Sequence, residues 1–228
     1  MFPDLSEIKK KADALIFDID GTILDSMTVW NRADIVFLSS RGFEVTPDYT
    51  DYVKSVRIED AALYTKERFN LPDSPESIMN EWNSFVNKAY ALEVLLKDGA
   101  LNYLRRAHAR GFKTACATAL TKQNVDAAFS RLGIRDLFDV IVTLDDLPGA
   151  PDKSEPDIYL HVASLLGSEP SRTIVFEDVP QALNGARKGR FLTCAVWDEV
   201  GAGSEETWNK MKESSDYFLR MWNDISKC

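Results

Sequence analysis

Short, mostly apolar runs recur at wide intervals along the chain and mark candidate buried strands. They are Ala14–Phe17, Thr114–Ala117, Val140–Thr143, Thr173–Phe176 and Thr193–Val196. Antiparallel hairpins need turns of only a few residues, whereas parallel strands need crossovers of roughly a dozen residues or more, which are usually helical. The long connections between these runs therefore predict a parallel sheet.

The connections between the later runs carry helical periodicity and helix-end signals. Thr121 can cap a helix that ends at Gly133, and its apolar residues follow helical spacing at Val125, Ala128, Phe129 and Leu132. The segment Ser154-Glu155-Pro156-Asp157 matches a capping box with proline in the first turn. A third helix is predicted from Pro180 to Gly189.

The stretch between the first and second runs contains helical patterns and no run that predicts a strand. Helices are predicted over Trp30–Leu38, over Ile58–Phe69, and after Ser74, which can act as an N-cap. Trp30 and Trp82 fit core positions of these helices, although one of them could instead face a substrate. Asp98 is placed to cap the helix that follows the stretch.

Three repeats of strand, loop and helix favour an α/β fold, a doubly wound, Rossmann-like parallel sheet. Because the helical stretch enters directly after the first strand, it is interpreted as an insertion into that core. We expect an α/β core domain of residues 1–22 and 97–228, and an all-helical cap domain of residues 23–96. A cap of this kind between core and solvent also leads us to expect a monomer.

The composition narrows the classes of partner. The 228 residues are 45% hydrophobic, and 27 Lys and Arg against 36 Asp and Glu give a net charge of −9. An acidic surface disfavours nucleic acid and anionic membranes as main partners, because like charges repel. No segment approaches the ~18 consecutive apolar residues of a membrane span, and Met1–Lys11 lacks the apolar stretch of a signal peptide. We therefore expect no membrane association and a cytoplasmic location.

Chemically capable side chains follow the ends of successive predicted strands. Ligands of an open parallel sheet bind beyond the carboxyl ends of its strands, so these residues are expected to meet at one edge. In chain order they are Asp18 and Asp20 in the segment Asp18-Ile19-Asp20-Gly21-Thr22, then Thr118, then Lys153, and then Glu177 and Asp178. The set combines four carboxylates with one ammonium group and one hydroxyl group.

Four carboxylates at one edge repel each other unless a cation is present. Mg²⁺ prefers hard oxygen ligands and commonly combines one or two carboxylates with waters and a substrate phosphate. Lys153 and Thr118 then suit a phosphate group, as a point charge and a hydrogen-bond donor. A carboxylate can also attack phosphorus, and the spacing of Asp18 and Asp20 directs both side chains to the same side of an extended chain.

These residues resemble the haloacid dehalogenase-like phosphatases, in particular the helical-cap branch that includes β-phosphoglucomutase-like enzymes. Asp18 to Thr22 is similar to the DxDGT loop of that family, and Lys153 stands in its Lys-x-x-Pro-Asp context. The resemblance implies that Asp18 is the nucleophile and Asp20 the general acid and base, while Thr118 and Lys153 hold the transferring phosphoryl group. It also implies a Mg²⁺ site formed by Glu177, Asp178, Asp18 and the main-chain carbonyl of Asp20.

The implied function is a Mg²⁺-dependent phosphohydrolase that acts on a small phosphorylated metabolite, most simply a sugar phosphate, through an aspartyl-phosphate intermediate. One alternative is a phosphomutase of the β-phosphoglucomutase type. Where those mutases place a histidine in the helix entering the cap, this chain has Trp30, which disfavours mutase activity, and Arg57 aligns only loosely with the position that holds their distal phosphate. A receiver-like signalling module is the alternative of another class, although it needs neither Asp20 nor a large insertion.

Each site residue also has a purely structural explanation when taken singly. Thr118 could cap a helix, Lys153 could be a solvated lysine, and Glu177 with Asp178 could be first-turn acids that favour a following helix. The histidines, His108 and His161, are interpreted as packing or surface residues. The three cysteines lack disulfide or zinc spacing, and two of them are interpreted as small core side chains: Cys116 and Cys194.

Overall fold

A computed structural model of the chain describes residues 4–56 and 58–225. Its strands are β1 (Ala14–Phe17), β2 (Leu24–Asp25), β3 (Leu95–Leu96), β4 (Lys113–Thr118), β5 (Val140–Thr143), β6 (Thr173–Glu177), β7 (Leu192–Val196) and β8 (Tyr217–Leu219). Its helices are α1 (Leu5–Lys11), α2 (Val29–Ser39), α3 (Pro47–Ser55), α4 (Ile58–Phe69), α5 (Pro75–Leu92), α6 (Ala100–Ala109), α7 (Lys122–Leu132), α8 (Asp157–Leu166), α9 (Pro180–Lys188), α10 (Glu199–Ala202) and α11 (Glu205–Ser214).

Six of these strands form one parallel sheet with the spatial order β5-β4-β1-β6-β7-β8. Strand β1 lies in the interior of the sheet between β4 and β6, and all four of its residues are buried. A continuous apolar run is what a strand covered on both faces requires. The predicted doubly wound α/β fold is confirmed.

The five predicted strands are present, and β8 is an addition. This edge strand has three residues, Tyr217–Leu219, which pair with β7. A run of three residues is too short to be recognised as a strand from its hydrophobic pattern. A two-stranded antiparallel ribbon, β2 with β3, corrects the expectation that residues 22–96 contain no strand. It pairs residues at the two ends of the helical stretch, which no local pattern could indicate.

The predicted helix ends at Ser74, Thr121, Gly133, Pro180 and Gly189 are confirmed, and two other predicted ends are wrong. Thr121 caps α7 by accepting a hydrogen bond from the Asn124 amide, and Gly133 ends it in a left-handed conformation. Helix α8 starts only at Asp157, and Ser154 instead belongs to the preceding turn. Gly99 rather than Asp98 is the N-cap of α6, because the Asp98 carboxylate accepts from Asn223 Nδ2 at 2.5 Å.

The chain forms two compact units, one of Met1–Ser26 with Val94–Cys228 and one of Met27–Glu93. The first unit holds the six-stranded sheet and its flanking helices. In the second unit, α5 packs against both α2 and α4. Within the described part of the chain, no helix has the combined length and apolar character needed to cross a bilayer.

The two tryptophans predicted at core positions of the helical stretch have different environments. Trp82 is buried in α5, where its ring meets the Phe37 ring edge-on. Trp30 is 42% exposed near the start of α2, so its predicted core position is wrong. Helix α2 buries only one narrow face, through Val29, Ala33, Phe37 and Leu38, and Trp30 lies beside that face.

Candidate active site

Strand β1 carries Asp18 to the carboxyl edge of the sheet. The Asp18 amide donates to the Phe176 carbonyl at 3.0 Å, which extends the β1–β6 pairing by one residue. Beyond it, Gly21 has a φ of +73°, a left-handed conformation that glycine adopts without steric cost. The chain therefore turns away sharply, and Asp18 stays at the strand end with 6% of its surface exposed.

Strand β6 brings two further carboxylates to the same edge. Glu177 is its last residue and Asp178 follows, and both are buried. One oxygen each of Asp18, Glu177 and Asp178 lie within 4.8 Å of one another. The three carboxylates that were predicted to bind one metal ion are thus adjacent in space. The fourth predicted ligand, Asp20, was expected to bind through its main-chain carbonyl and not through its carboxylate.

Lys153 is the ammonium group of the cluster. Its Nζ lies 2.5 Å from Asp18 Oδ1 and also contacts Glu177 Oε1. The Tyr159 hydroxyl donates to the same Glu177 oxygen at 2.7 Å. Lys153 comes from the segment that precedes α8 and Tyr159 from α8 itself, so both partners of Glu177 come from one short stretch of the chain.

The cluster contains more acidic groups than basic groups, and this imbalance changes their pKa values. Burial, followed by the charge of Asp18, raises the pKa of Glu177 to about 8 and that of Asp178 well above its ordinary value. Burial opposes the charged form of Lys153, but Asp18 and Glu177 outweigh it and raise the pKa of this ammonium group. Three carboxylates beside one ammonium group would carry two uncompensated negative charges if all were ionised.

The hydrogen bonding of the buried carboxylates bears on whether a cation fits the cluster. Among the residues that the structure describes, none donates a hydrogen bond to Glu177 Oε2 or Asp178 Oδ2. A buried carboxylate oxygen without a partner is costly, and hard divalent cations favour oxygen donors of this kind. The donor set is entirely oxygen and carries the matching excess charge, so the residues present fit a divalent metal ion.

Thr118 and Asp20 complete the predicted set at this edge. Thr118 ends β4, next to β1, and its buried Oγ1 accepts from the Leu120 amide at 3.0 Å. Asp20 follows β1 and accepts from the Ser26 hydroxyl at 2.6 Å. The residues predicted from the ends of β1, β4 and β6 and from the segment before α8 are therefore carried to one edge of the sheet.

Two glycines allow close packing behind the cluster. A Cβ on Gly185 of α9 would lie 2.1 Å from the Lys153 carbonyl oxygen, and one on Gly201 of α10 would lie 2.0 Å from Asp178 Oδ2. Asp198 orders the second contact, since it accepts from the Gly201 amide at 3.0 Å and pairs with Lys97 at 2.8 Å. Both glycines have backbones that touch a site residue, so any side chain there would displace it.

Sequence reasoning missed Tyr159, Ser26 and these glycines. A tyrosine on the buried face of α8 was the one usable signal, because a buried phenol needs a hydrogen-bond partner. Ser26 and the glycines give no such signal, because only the folded chain brings them to the site.

The other predicted candidates take no part in the cluster. His108 and His161 are exposed, in agreement with their interpretation as surface residues. Cys116 and Cys194 are fully buried in β4 and β7, and burial raises the pKa of both thiols. Arg57 lies outside the described residues.

Comparisons with known proteins agree with this geometry. A model of the haloacid dehalogenase-like hydrolase family matches residues 12–188, which include every predicted site residue. The chain is a haloacid dehalogenase-like hydrolase. The predicted family is confirmed, and relatives that are named as phosphatases agree with the expected enzyme class.

Individual relatives are similar over most of their length. Protein CbbY of Rhodobacter capsulatus is 30% identical over 84% of this chain and 88% of its own. Hexitol phosphatase B of Escherichia coli K12 is 24% identical over 80% of this chain and 82% of its own. A solved structure from Thermotoga maritima, assigned provisionally as a β-phosphoglucomutase, has a TM-score of 0.80, 20% identity, and coverage of 94% of this chain and 97% of its own. That last likeness establishes the shared fold.

Proposed function

We propose that this hydrolase is a Mg²⁺-dependent phosphatase that cleaves a small sugar phosphate through a phosphoryl group held covalently on Asp18. The observation that carries the proposal is the buried cluster of Asp18, Glu177 and Asp178 with Lys153 paired against it. An anionic nucleophile beside two other acids can meet a phosphate dianion only if cations offset their repulsion. Lys153 supplies one cation, and a metal ion held by the three carboxylates would supply the other.

The proposed chemistry uses Asp18 and Asp20 in turn. A carboxylate oxygen of Asp18 attacks phosphorus while the bond from phosphorus to the leaving oxygen breaks, and Asp20 gives that oxygen a proton. Asp20 then takes a proton from the water that attacks the phosphoryl group on Asp18, and inorganic phosphate leaves. The Ser26 hydroxyl, 2.6 Å from Asp20 Oδ1, orients the carboxyl group for both transfers.

The other residues hold charge and position. In this proposal Lys153 and Thr118 bind the oxygens of the transferring phosphoryl group. Glu177, Asp178, Asp18 and the main-chain carbonyl of Asp20 would hold Mg²⁺. When bound, the ion would offset negative charge on the phosphoryl oxygens and on the carboxylates.

A sugar phosphate is the proposed substrate because a relative bears the name hexitol phosphatase. The helical region, for which the sequence predicts a cap of residues 23–96, is proposed to select the substrate. Trp30, which stands where the resemblance implies a histidine in the mutases, favours hydrolysis over isomerisation. A monomer in the cytoplasm remains part of the proposal.

The test is a screen of phosphorylated metabolites for released inorganic phosphate in the presence of Mg²⁺. Glucose 1-phosphate isomerisation is assayed in parallel, and an EDTA-treated sample shows whether turnover needs a divalent ion. We expect Mg²⁺-dependent release from one or more sugar phosphates and no isomerisation. Full turnover after thorough EDTA treatment would show that the reaction needs no metal ion. Isomerisation of glucose 1-phosphate would show that the protein is a phosphomutase and not a phosphatase.

A further inference from the structure

A cluster of aromatic rings lies directly behind the site carboxylates. Phe17 precedes Asp18 in the chain and Phe176 precedes Glu177, and their rings stack with centroids 4.7 Å apart. Trp222 packs against both, with centroid distances of 6.1 Å to Phe17 and 5.6 Å to Phe176. It belongs to a 3-10 turn of Trp222–Ile225, close to the end of the described chain. Its indole is 3% exposed.

The same indole makes a hydrogen bond to the loop that carries Asp20. Trp222 Nε1 donates to the Thr22 carbonyl at 2.9 Å, across 200 residues of sequence. Thr22 is buried and lies two residues after Asp20, on the far side of the left-handed turn at Gly21. The bond therefore holds the loop at the point where the chain leaves the strand end.

The next residue of this turn, Asn223, contacts the segment Asp98–Gly99 that leads into α6. Asn223 Nδ2 donates to Asp98 Oδ2 at 2.5 Å, and a Cβ on Gly99 would lie 2.5 Å from Asn223 Oδ1. The Trp222–Ile225 turn thus contacts the chain on both sides of the segment that separates β1 from α6. An ordered contact at both places restricts the loop more than the Trp222 bond would alone.

From these contacts we propose that Trp222 is a positioning residue for Asp20, acting through the Thr22 carbonyl and not by touching the substrate. The inference rests on the proposed function, in which Asp20 protonates the leaving oxygen. General acid catalysis depends on the distance between the acid and that oxygen, so a small displacement of the loop lowers the rate. Asp18 precedes the turn and is held by its own bond to Phe176, so it is affected less.

The test compares two substrates in Trp222→Phe, which keeps a packed ring but removes the N–H donor. An alkyl phosphate, such as the sugar phosphate found in the screen, needs a proton on its leaving oxygen, whereas p-nitrophenyl phosphate releases a stable anion. We expect kcat/KM for the alkyl phosphate to fall about ten-fold, and kcat/KM for p-nitrophenyl phosphate to stay within about two-fold. General destabilisation would lower both equally.

Trp208→Phe is the matched control. Trp208 is a buried tryptophan of the same unit and packs against Trp197 and Phe218. Its substitution should leave the ratio of the two kcat/KM values unchanged. Equal losses on both substrates in Trp222→Phe, or no loss on either, would overturn the inference.

Two further measurements keep the inference testable. Asn223→Ala replaces Trp222→Phe if circular dichroism shows that the latter does not fold. It should lower the ratio of kcat/KM for the alkyl phosphate to kcat/KM for p-nitrophenyl phosphate by about three-fold, and an unchanged ratio would count against positioning. If the wild-type chain cleaves no phosphate ester, the proposed function fails. Amide hydrogen exchange of residues 18–25 in wild type and Trp222→Phe then tests the positioning role without turnover. Loss of the Trp222 hydrogen bond should speed this exchange at least about ten-fold, and unchanged exchange would refute the positioning role.

Discussion

Glu177 Oε1 contacts Lys153 and also accepts the hydrogen bond of the Tyr159 hydroxyl. Its second oxygen, Oε2, is one of the two atoms with no hydrogen-bond donor among the described residues. Protein groups therefore fix one oxygen of the carboxylate, and among the described residues the other oxygen has no donor, as the proposed metal ligand requires. The pair Lys153 and Tyr159 orients the acid so that Oε2 can bind.

Tyr159→Phe should weaken Mg²⁺ binding about ten-fold, because partners that orient a metal ligand commonly contribute this much to affinity. Isothermal titration of Mg²⁺ into the metal-free variant measures the effect without turnover. Tyr49→Phe is the control, since Tyr49 is also buried and bonds a carboxylate oxygen, Asp34 Oδ1 at 3.1 Å, outside the cluster. Unchanged affinity in Tyr159→Phe would show that Lys153 alone orients Glu177.

Asp18→Asn should lower phosphatase turnover about a thousand-fold or more, because an amide oxygen is a poor nucleophile at phosphorus. The side chains are nearly isosteric, so the variant should keep its circular dichroism spectrum. Asp25→Asn changes an exposed carboxylate of β2 and should retain activity. Substantial phosphate release by Asp18→Asn would contradict the role of Asp18.

Among the helices, α9 determines where Lys153 lies. Gly185 is buried in this helix, and its Cα faces the Lys153 carbonyl so closely that a Cβ would lie 2.1 Å from the oxygen. Lys188 of the same helix donates to the Ser154 carbonyl at 3.1 Å and pairs with Glu155. The helix thereby supports the segment from its backbone and from its side chains.

Gly185→Ala should lower stability by about 1–3 kcal/mol through overpacking, although alanine is the better helix former by about 1 kcal/mol. It should also lower activity, because the segment that carries Lys153 must move. Asn184→Ala, at an exposed position of the same helix, should change neither property much. Urea unfolding and phosphate release measure both, and a Gly185→Ala variant with full activity would refute the support from α9.

For the whole molecule, we expect the proposed Mg²⁺ site to couple stability to the metal ion, because the ion would offset the buried negative charge of Asp18, Glu177 and Asp178. A ligand that binds only the folded state stabilises it, by about 2.7 kcal/mol at one hundred times its dissociation constant. Thermal unfolding with increasing MgCl₂ should therefore show a rising Tm for the wild-type chain. Asp178→Asn should reduce this rise, and an equal rise in both proteins would place the ion elsewhere.

The metal-free protein should lose stability as the pH rises from about 5 to 8. The pKa of Glu177 is raised from an ordinary 4.5 to about 8, so the folded chain holds a proton in this interval that the unfolded chain has released. Lys153 is protonated in both states over the same interval and does not reverse the trend. Urea unfolding in EDTA at several pH values measures this, and the difference between wild type and Glu177→Gln should shrink toward pH 5.

The sequence predicted the parallel sheet and the set of side chains at its edge because both depend on local order. Buried strands produce apolar runs, and in a parallel sheet the residues after those runs must meet at one edge. Asp18, Thr118, Glu177 and Asp178 were accessible to this reasoning. The cap at Asp98 was wrong because the distant Asn223 side chain binds its carboxylate. The helix start at Ser154 was wrong because the Ser154 amide instead donates to Asp152 Oδ1 in a local turn.

Residue order along the chain was therefore sufficient to identify the strands, the helices capped by Thr121 and Ser74, and the acids that follow the strands. Only the tertiary structure decided how those acids are supported. The Tyr159 bond to Glu177, the glycine contacts with Lys153 and Asp178, and the Trp222 bond to Thr22 join distant residues. Such contacts form only when the chain packs correctly to within a few tenths of an ångström. Packing of this precision produces no periodic pattern in the sequence.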